Sequence, residues 1–391
     1  MDGYVHPDFA PVSERVRAML EKRSATGGIA VVAYHHGEKV VDVWGGSRDA
    51  LGTPWESDTM AMSFSTTKGV VATVLHRLVD RGLVSYNEPV STYWPEFAAA
   101  GKEGITVRHL LAHRAGLHPI RPLVGSASEL FDWDNVTGKL AAASPAWEPG
   151  TRPGYHALTF GWLVGEVIRR VSGLSVRDAV QKEVAEPLGL DGLHIGAPDE
   201  VRDRVADLLF DPGSRERLER MSGWMEKRER FRPFVEALMV DGLMDYVNTD
   251  EMYAAEMPAA NGVFSARSLA RMYAALVTPG DFDEPPLVSA DTMERATVVQ
   301  STQRDAVVMF PMRWRLGYHL AATTAGAPPE GFGHFGFGGS GAWGDPETGL
   351  SVAMVLNQIG GTPFGDTRFL RVGSAALRAA RRRDGIPKRK R

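Results

Sequence analysis

Ser63-Phe64-Ser65-Thr66-Thr67-Lys68-Gly69-Val70 holds the only S-x-x-K of the chain, from Ser65 to Lys68. The residues after it, Val70-Val71-Ala72-Thr73-Val74-Leu75-His76-Arg77-Leu78-Val79-Asp80, read as a helix stopped by Gly82. A helix beginning near Ser65 sets Ser65 and Lys68 three apart on one face, within contact of each other. A serine hydroxyl is a weak nucleophile until a base takes its proton. A lysine can do so once burial and nearby cations bring its amine below the usual pKa of ~10.4. The N-terminus of a helix also points free N–H groups at a carbonyl under attack. Nucleophile, base and oxyanion donor can therefore come from one turn. The competing reading is a capped helix start with a solvated lysine, since chance alone yields roughly one or two S-x-x-K matches in a chain of this length.

The composition is that of an ordinary globular protein: 391 residues, 43% hydrophobic and 24% charged, enough for a large core in one or two domains. The net charge of −4 gives no field that calls for nucleic acid. The absence of cysteine excludes disulfides, thiol nucleophiles and cysteine–metal sites. No run of apolar residues is long enough to span a membrane. Met1 to Pro7 has neither the basic nor the apolar region of a secretory signal, so a cytoplasmic protein is expected. The basic stretches Arg381-Arg382-Arg383 and Lys388-Arg389-Lys390-Arg391 read as a solvated tail.

Outward from Ser65, residues 13–22 predict an amphipathic helix capped by Ser13. Residues 28–37 and 39–46 predict a β-hairpin. From Thr66 to about Pro258 the pattern is helical, with segments at 67–81, 107–112, 158–171 and 176–184 separated by Pro and Gly. Residues 201–258 mix charge runs with Met221, Trp224, Met225, Phe231, Phe234 and Met239, which suits either a helical core or a greasy lid over an acyl pocket. Strands are expected at 306–310, 314–320, 333–336, 341–344 and 350–357, then a helix over 367–382. Strands this late beside an N-terminal hairpin predict an α/β (α+β) fold, one antiparallel sheet flanked by helices with a large helical insertion. The expected division is an α/β domain from residues 1–64 and 259–391, and a mainly helical domain over 65–258.

Two motifs do not carry function. His109 and His113 have a zinc-like i, i+4 spacing but lack the glutamate of H-e-x-x-h in its protease form, and capping with loop packing is the better reading. Gly331-Phe332-Gly333-His334-Phe335-Gly336 matches G-x-G-x-x-G, but no helix follows. The chain has neither a Walker A motif nor G-x-S-x-G. Nothing calls for a cofactor or a metal.

Ser65-Thr66-Thr67-Lys68, then Tyr155-His156-Ala157 after Pro153-Gly154, then His334-Phe335-Gly336 opening a glycine-rich strand, occur in that order. In this the chain resembles the serine β-lactamase and penicillin-binding-protein superfamily. More narrowly it resembles the class C β-lactamase group and its esterase branch, the family VIII carboxylesterases. Residues 105–117 and 261–265 are similar to that family too, and the resemblance runs from about residue 10 to about 380. It implies a serine β-lactamase-like fold and a two-step acyl transfer. Ser65 would be the nucleophile, with Lys68 and Tyr155 as general base and acid, and the backbone N–H groups of Ser65 and Phe337 as the oxyanion hole. His334, Gly336, His156 and Trp343 are expected to line the substrate site. Tyr155 is expected to act as a base beside a Lys68 cation, including in the attack of water.

Two departures separate the chain from drug-hydrolysing members. Ala157 replaces the asparagine of Y-x-N, and His334 replaces the lysine of K-T-G, which binds the β-lactam carboxylate. Simple ester hydrolysis needs neither group, so a carboxylesterase acting on small-molecule, short-chain esters is the leading expectation. A β-lactam or amide hydrolase and an acyltransferase to alcohols remain open on the same site, as does a catalytically dead binding module.

Overall fold

The computed structural model describes residues 1–22, 26–211, 213–282, 284–324, 326–360 and 366–387. Lys388 to Arg391, four of the seven residues of the expected basic tail, lie outside the described residues. The apolar run Gly28–His35 forms a strand buried along nearly its whole length and pairs antiparallel with Glu38–Gly46. The connecting His36 and Gly37 have φ of 47° and 73°, the mirror-image turn whose twist matches the strands it joins.

This hairpin sits inside a seven-stranded sheet. The order is Asp2–Val5, Glu38–Gly46, Gly28–His35, Leu350–Leu356, Gly341–Asp345, Phe332–Phe335 and His319–Leu320. Every neighbouring pair is antiparallel. The first and last parts of the sequence thus share one sheet, with the helical block inserted between them, as the sequence implies. The fold is α/β with the antiparallel sheet flanked by helices.

Alternation along the strands divides the core in two. Ile29, Val31, Ala33, Trp343, Val352 and Met354 face the N-terminal helix Ala10–Leu20 and the C-terminal helix Thr367–Arg383. Ala30, Val32, Ala342, Ala353 and Val355 face the other way, into the larger core built around Thr67–Asp80 and Ala266–Val277. Thr67–Asp80 is buried almost all round, which explains why its sequence is apolar rather than amphipathic. A second, four-stranded sheet joins Leu193–Ile195, Gly262–Phe264, Met60–Met62 and Val205–Ala206. It takes strands from both sides of the expected boundaries at 64/65 and 258/259, so the two parts meet through shared backbone hydrogen bonds.

Several local expectations are corrected. The first helix starts at Ala10 with Pro11 in its first turn, and the Ser13 hydroxyl donates to Ala10 O instead of capping. Residues 306–310 are a turn, because Asp305 Oδ1 accepts the N–H groups of Val307 and Val308 at 2.8 and 2.9 Å. Of 314–320 only His319–Leu320 pairs, since Gly317 turns the chain at φ 74°. The strand Asp2–Val5 and the second sheet carry no sequence signal strong enough to predict them.

Trp343 is completely buried under the C-terminal helix, on the face turned away from Thr67–Asp80. Its expected place in the substrate site is therefore corrected to a core residue, and the cause is the two-residue period of its strand. Trp343→Ala should cost about 3–5 kcal/mol in urea unfolding and leave KM for esters unchanged in the folded fraction.

Candidate active site

The strand Met60–Met62 ends at Ser63, and a single 3-10 turn, Phe64–Thr66, leads into Thr67–Asp80. Phe64 has a φ of 46°. A bulky residue in the left-handed region costs on the order of 1–3 kcal/mol and persists only where its surroundings enforce it. Here they do. Ser63 N–H donates to Gly262 O at 2.8 Å, and Gly262 N–H donates to Thr67 Oγ1 at 2.9 Å. Thr67 Oγ1 donates in turn to Phe64 O, and the Phe64 ring stands edge-on to Phe337 at 5.4 Å. Gly336 lies so close that a methyl group on it would come within 2.1 Å of Ser63 O. Glycine is required there by the approach of the two backbones.

The elbow presents Ser65 and not its neighbour. Ser63 is completely buried and its hydroxyl donates to Ala61 O at 3.0 Å. Ser65 Oγ, by contrast, lies 3.0 Å from Lys68 Nζ and accepts the phenol O–H of Tyr155 at 2.7 Å. Lys68 is completely buried, and Nζ also donates to Ala259 O at 2.9 Å. The amine stands 5.0 Å from the centre of the Tyr155 ring.

Burial pushes the Lys68 amine well below its usual value of 10.5. Burial pushes the Tyr155 phenol the opposite way, above 10.0, against the lowering effect of its bond to Ser65 and with help from the Asp305 charge. Both directions disfavour the charged form of each group.

Tyr155 is held by residues that the sequence did not single out. Asp305 is 1% exposed. Its Oδ1 accepts from Tyr155 N at 3.1 Å as well as from Val307 and Val308, and its Oδ2 accepts Trp314 Nε1 at 2.8 Å. Trp314 stacks on Tyr155 at 5.3 Å and 16°. Burial raises the Asp305 carboxyl and its N–H donors oppose that rise. The signal was hidden because Asp305 precedes an apolar run and looks like the polar edge of a strand.

Imidazoles fill the space behind Tyr155. His113 is completely buried, its Nδ1 accepts from His156 N at 3.1 Å, and its ring packs on Trp314 at 4.2 Å. His109 closes a capping box with Thr106, as expected of a capping residue. His156 is completely buried, with Nε2 accepting from Leu117 N at 2.9 Å and Nδ1–H donating to Gly154 O at 2.7 Å. Burial pushes it down to about 4. It fixes the loop that carries Tyr155, and its expected contact with substrate is corrected to a structural role, because both ring nitrogens are already bonded to backbone.

His334 is 2% exposed, and its ring lies beside Tyr155 at 6.1 Å and against His319 at 4.7 Å. Its Nδ1–H donates to Phe335 O at 3.0 Å. Burial first, then His319 and Lys68, push it well below 6.5, so it brings no positive charge. The structure thus brings Ser65, Lys68 and Tyr155 into mutual contact, with Gly336, Phe337 and His334 around them. It keeps His156 and Trp343 out.

Comparison with known proteins bears on the family and the fold. The beta-lactamase family model matches residues 16–377. The esterase/beta-lactamase LipL of Mycobacterium tuberculosis is 39% identical over 365 residues, spanning 91% of this chain and 83% of that protein. The crystal structure of a family VIII carboxylesterase superposes with a TM-score of 0.86 at 36% identity, covering 97% of this chain and 99% of that one. A penicillin-binding protein homologue from Caulobacter crescentus superposes with a TM-score of 0.85 at 35% identity, over 97% and 99% of the two chains.

Asp305→Asn keeps the side-chain volume but puts an NH2 group among N–H donors. Leaving buried donors unpaired costs about 1–3 kcal/mol, or one to two powers of ten. The loss should appear in kcat of ester hydrolysis with KM little changed, because the disturbed group is Tyr155 and not a substrate contact. An unchanged kcat would show that Tyr155 does not depend on this clamp.

Proposed function

The chain belongs to the beta-lactamase family, and on that premise we propose that it is a serine carboxylesterase acting on short-chain acyl esters through a Ser65 acyl-enzyme. The observation that carries this reading is Ser65 Oγ at 3.0 Å from a buried Lys68 amine and 2.7 Å from the Tyr155 phenol.

With the phenol donating to Oγ, the serine proton is free to point at the amine lone pair. Lys68 Nζ takes that proton as Oγ bonds to the ester carbonyl carbon. The carbonyl oxygen becomes an oxyanion, received by the N–H groups of Ser65, at the start of a helix, and of Phe337, directly after Gly336. One such donor is typically worth about 3 kcal/mol. The carbon–oxygen bond to the alcohol then breaks. Tyr155 gives its proton to the leaving oxygen and regains one from the Lys68 ammonium, which restores amine and phenol. Water enters, its proton returns along the same path, and the acid leaves. Tyr155 therefore works as acid first, and as base only while it is briefly a phenolate.

Three features favour esters over β-lactams. His334 is uncharged and nearly inaccessible where a lysine would hold the drug's carboxylate. Ala157 offers no amide to an acylamino side chain and is packed against Ala237 and Trp314. The helix Arg232–Leu238 roofs the site: Ala237 and Leu238 pack with Tyr155, Val308 and Met312. Behind that roof, Met225, Phe231, Phe234 and Val235 cluster with Met221, Met239 and Met309. This apolar cover fits the part of 201–258 read as an acyl pocket, and it suits a short acyl chain. Trp224 does not take part, being 43% exposed with Arg228 stacked on it at 3.9 Å.

Ser65→Ala should abolish hydrolysis of p-nitrophenyl butyrate in a folded protein, and mass spectrometry after a fluorophosphonate should find the adduct on Ser65. An adduct on Ser63 would reject the assignment. For β-lactams, the missing cation and the missing amide are each worth about 1.5–3 kcal/mol, one to two powers of ten apiece. kcat/KM for nitrocefin should accordingly fall several orders of magnitude below that for the ester; comparable values would make the protein a lactamase.

A further inference from the structure

We propose that His35, His36 and Asp384 form a zinc-binding site on the face of the main sheet turned away from Ser65. The three side chains belong to the turn of the first hairpin and to the end of the C-terminal helix, and their ligand atoms lie within 4.8 Å of one another. His35 Nε2 stands 3.0 Å from Asp384 Oδ1, and His36 Nε2 stands 3.4 Å from the same oxygen. Nitrogen and oxygen ligands about 2.0–2.1 Å from a tetrahedral zinc stand roughly 3.3–3.4 Å apart. The spacing therefore already approaches that of a metal site.

Each ligand is positioned by its backbone. His35 continues the alternation of Ile29, Val31 and Ala33 and lies against Phe9 at 5.6 Å, 3% exposed. His36 holds a left-handed φ of 47°, and its N–H donates to Gly349 O at 2.9 Å. Its ring lies over Gly349 so closely that a methyl group there would meet Nδ1 at 2.4 Å, and it stands 4.4 Å from the His35 ring. Asp384 is tied to the helix end through its N–H to Ala380 O at 2.9 Å. The surroundings favour a cation. Asp8 and Glu38 flank the site, and the neighbouring Arg383 is engaged by Glu38 at 2.7 Å and by Asp8 at 3.9 Å.

Two imidazoles and one carboxylate suit zinc and not calcium or magnesium, which take oxygen ligands. Three protein ligands leave a fourth position to water at the surface. A metal there would staple the hairpin turn to the end of the last helix, two points far apart in sequence. The site stands apart from Ser65, so the proposal does not depend on the reaction there.

The test is isothermal titration of zinc chloride into the full-length, tag-free protein stripped with a chelator, followed by thermal melting with and without zinc. Wild type should take up a single zinc per chain and melt at a higher temperature with it. His36→Ala and Asp384→Asn, both at the surface end of the site, should fold, keep ester hydrolysis, bind zinc at least roughly tenfold more weakly and lose the zinc-dependent rise in melting temperature. Absence of saturable uptake, or uptake of wild-type affinity in both variants, would overturn the proposal.

Discussion

Everything at this site depends on the removal of Lys68 from water. An ammonium group buried without a counter-charge is costly by several kcal/mol, so the amine gives up its proton instead. Its surroundings are Ala259 O, Ser65 Oγ and the Tyr155 ring. The histidines around Tyr155 share that condition. His113, His319 and His334 are all pushed down, burial being the largest cause for each. A charge on any of them would be felt by Lys68, and their neutrality keeps fixed positive charge out of the pocket. The same burial favours the neutral phenol of Tyr155.

The elbow at Phe64 serves this arrangement. Its strained φ is held by bonds from Gly262 and Thr67 and by the approach of Gly336 to Ser63, so the strand bearing His334, the turn after it bearing Phe337, and the helix bearing Lys68 meet at one point. Gly336 and Phe337 are brought against Ser63 and Phe64 because the last third of the chain completes the sheet begun by the first hairpin. Fold and site are thus tied by the same backbone contacts.

The sequence disclosed what is local and periodic. The hairpin, the helix after Ser65, the strands Phe332–Phe335, Gly341–Asp345 and Leu350–Leu356, and the last helix all follow from hydrophobic period and turn residues. The spacing of Ser65 and Lys68 could be read directly, and motif order brought in Tyr155. What could not be read depends on long-range burial. Asp305 sits 150 residues from the Tyr155 N–H it accepts. Trp343 and His334 lie on adjacent strands, yet the pleat sends one to the core under the last helix and the other toward Tyr155. Proximity to a lysine suggests a cation beside Tyr155, whereas the depth of burial works against charge on both partners.

The most direct test of this account is the pH dependence of kcat/KM for a p-nitrophenyl ester, which reports the ionisations of the free enzyme. A neutral Lys68 predicts activity that rises through one ionisation well below the ordinary lysine value of 10.5. Activity that keeps climbing until the pH approaches that value would mean that Lys68 rests as an ammonium ion, and would contradict the account.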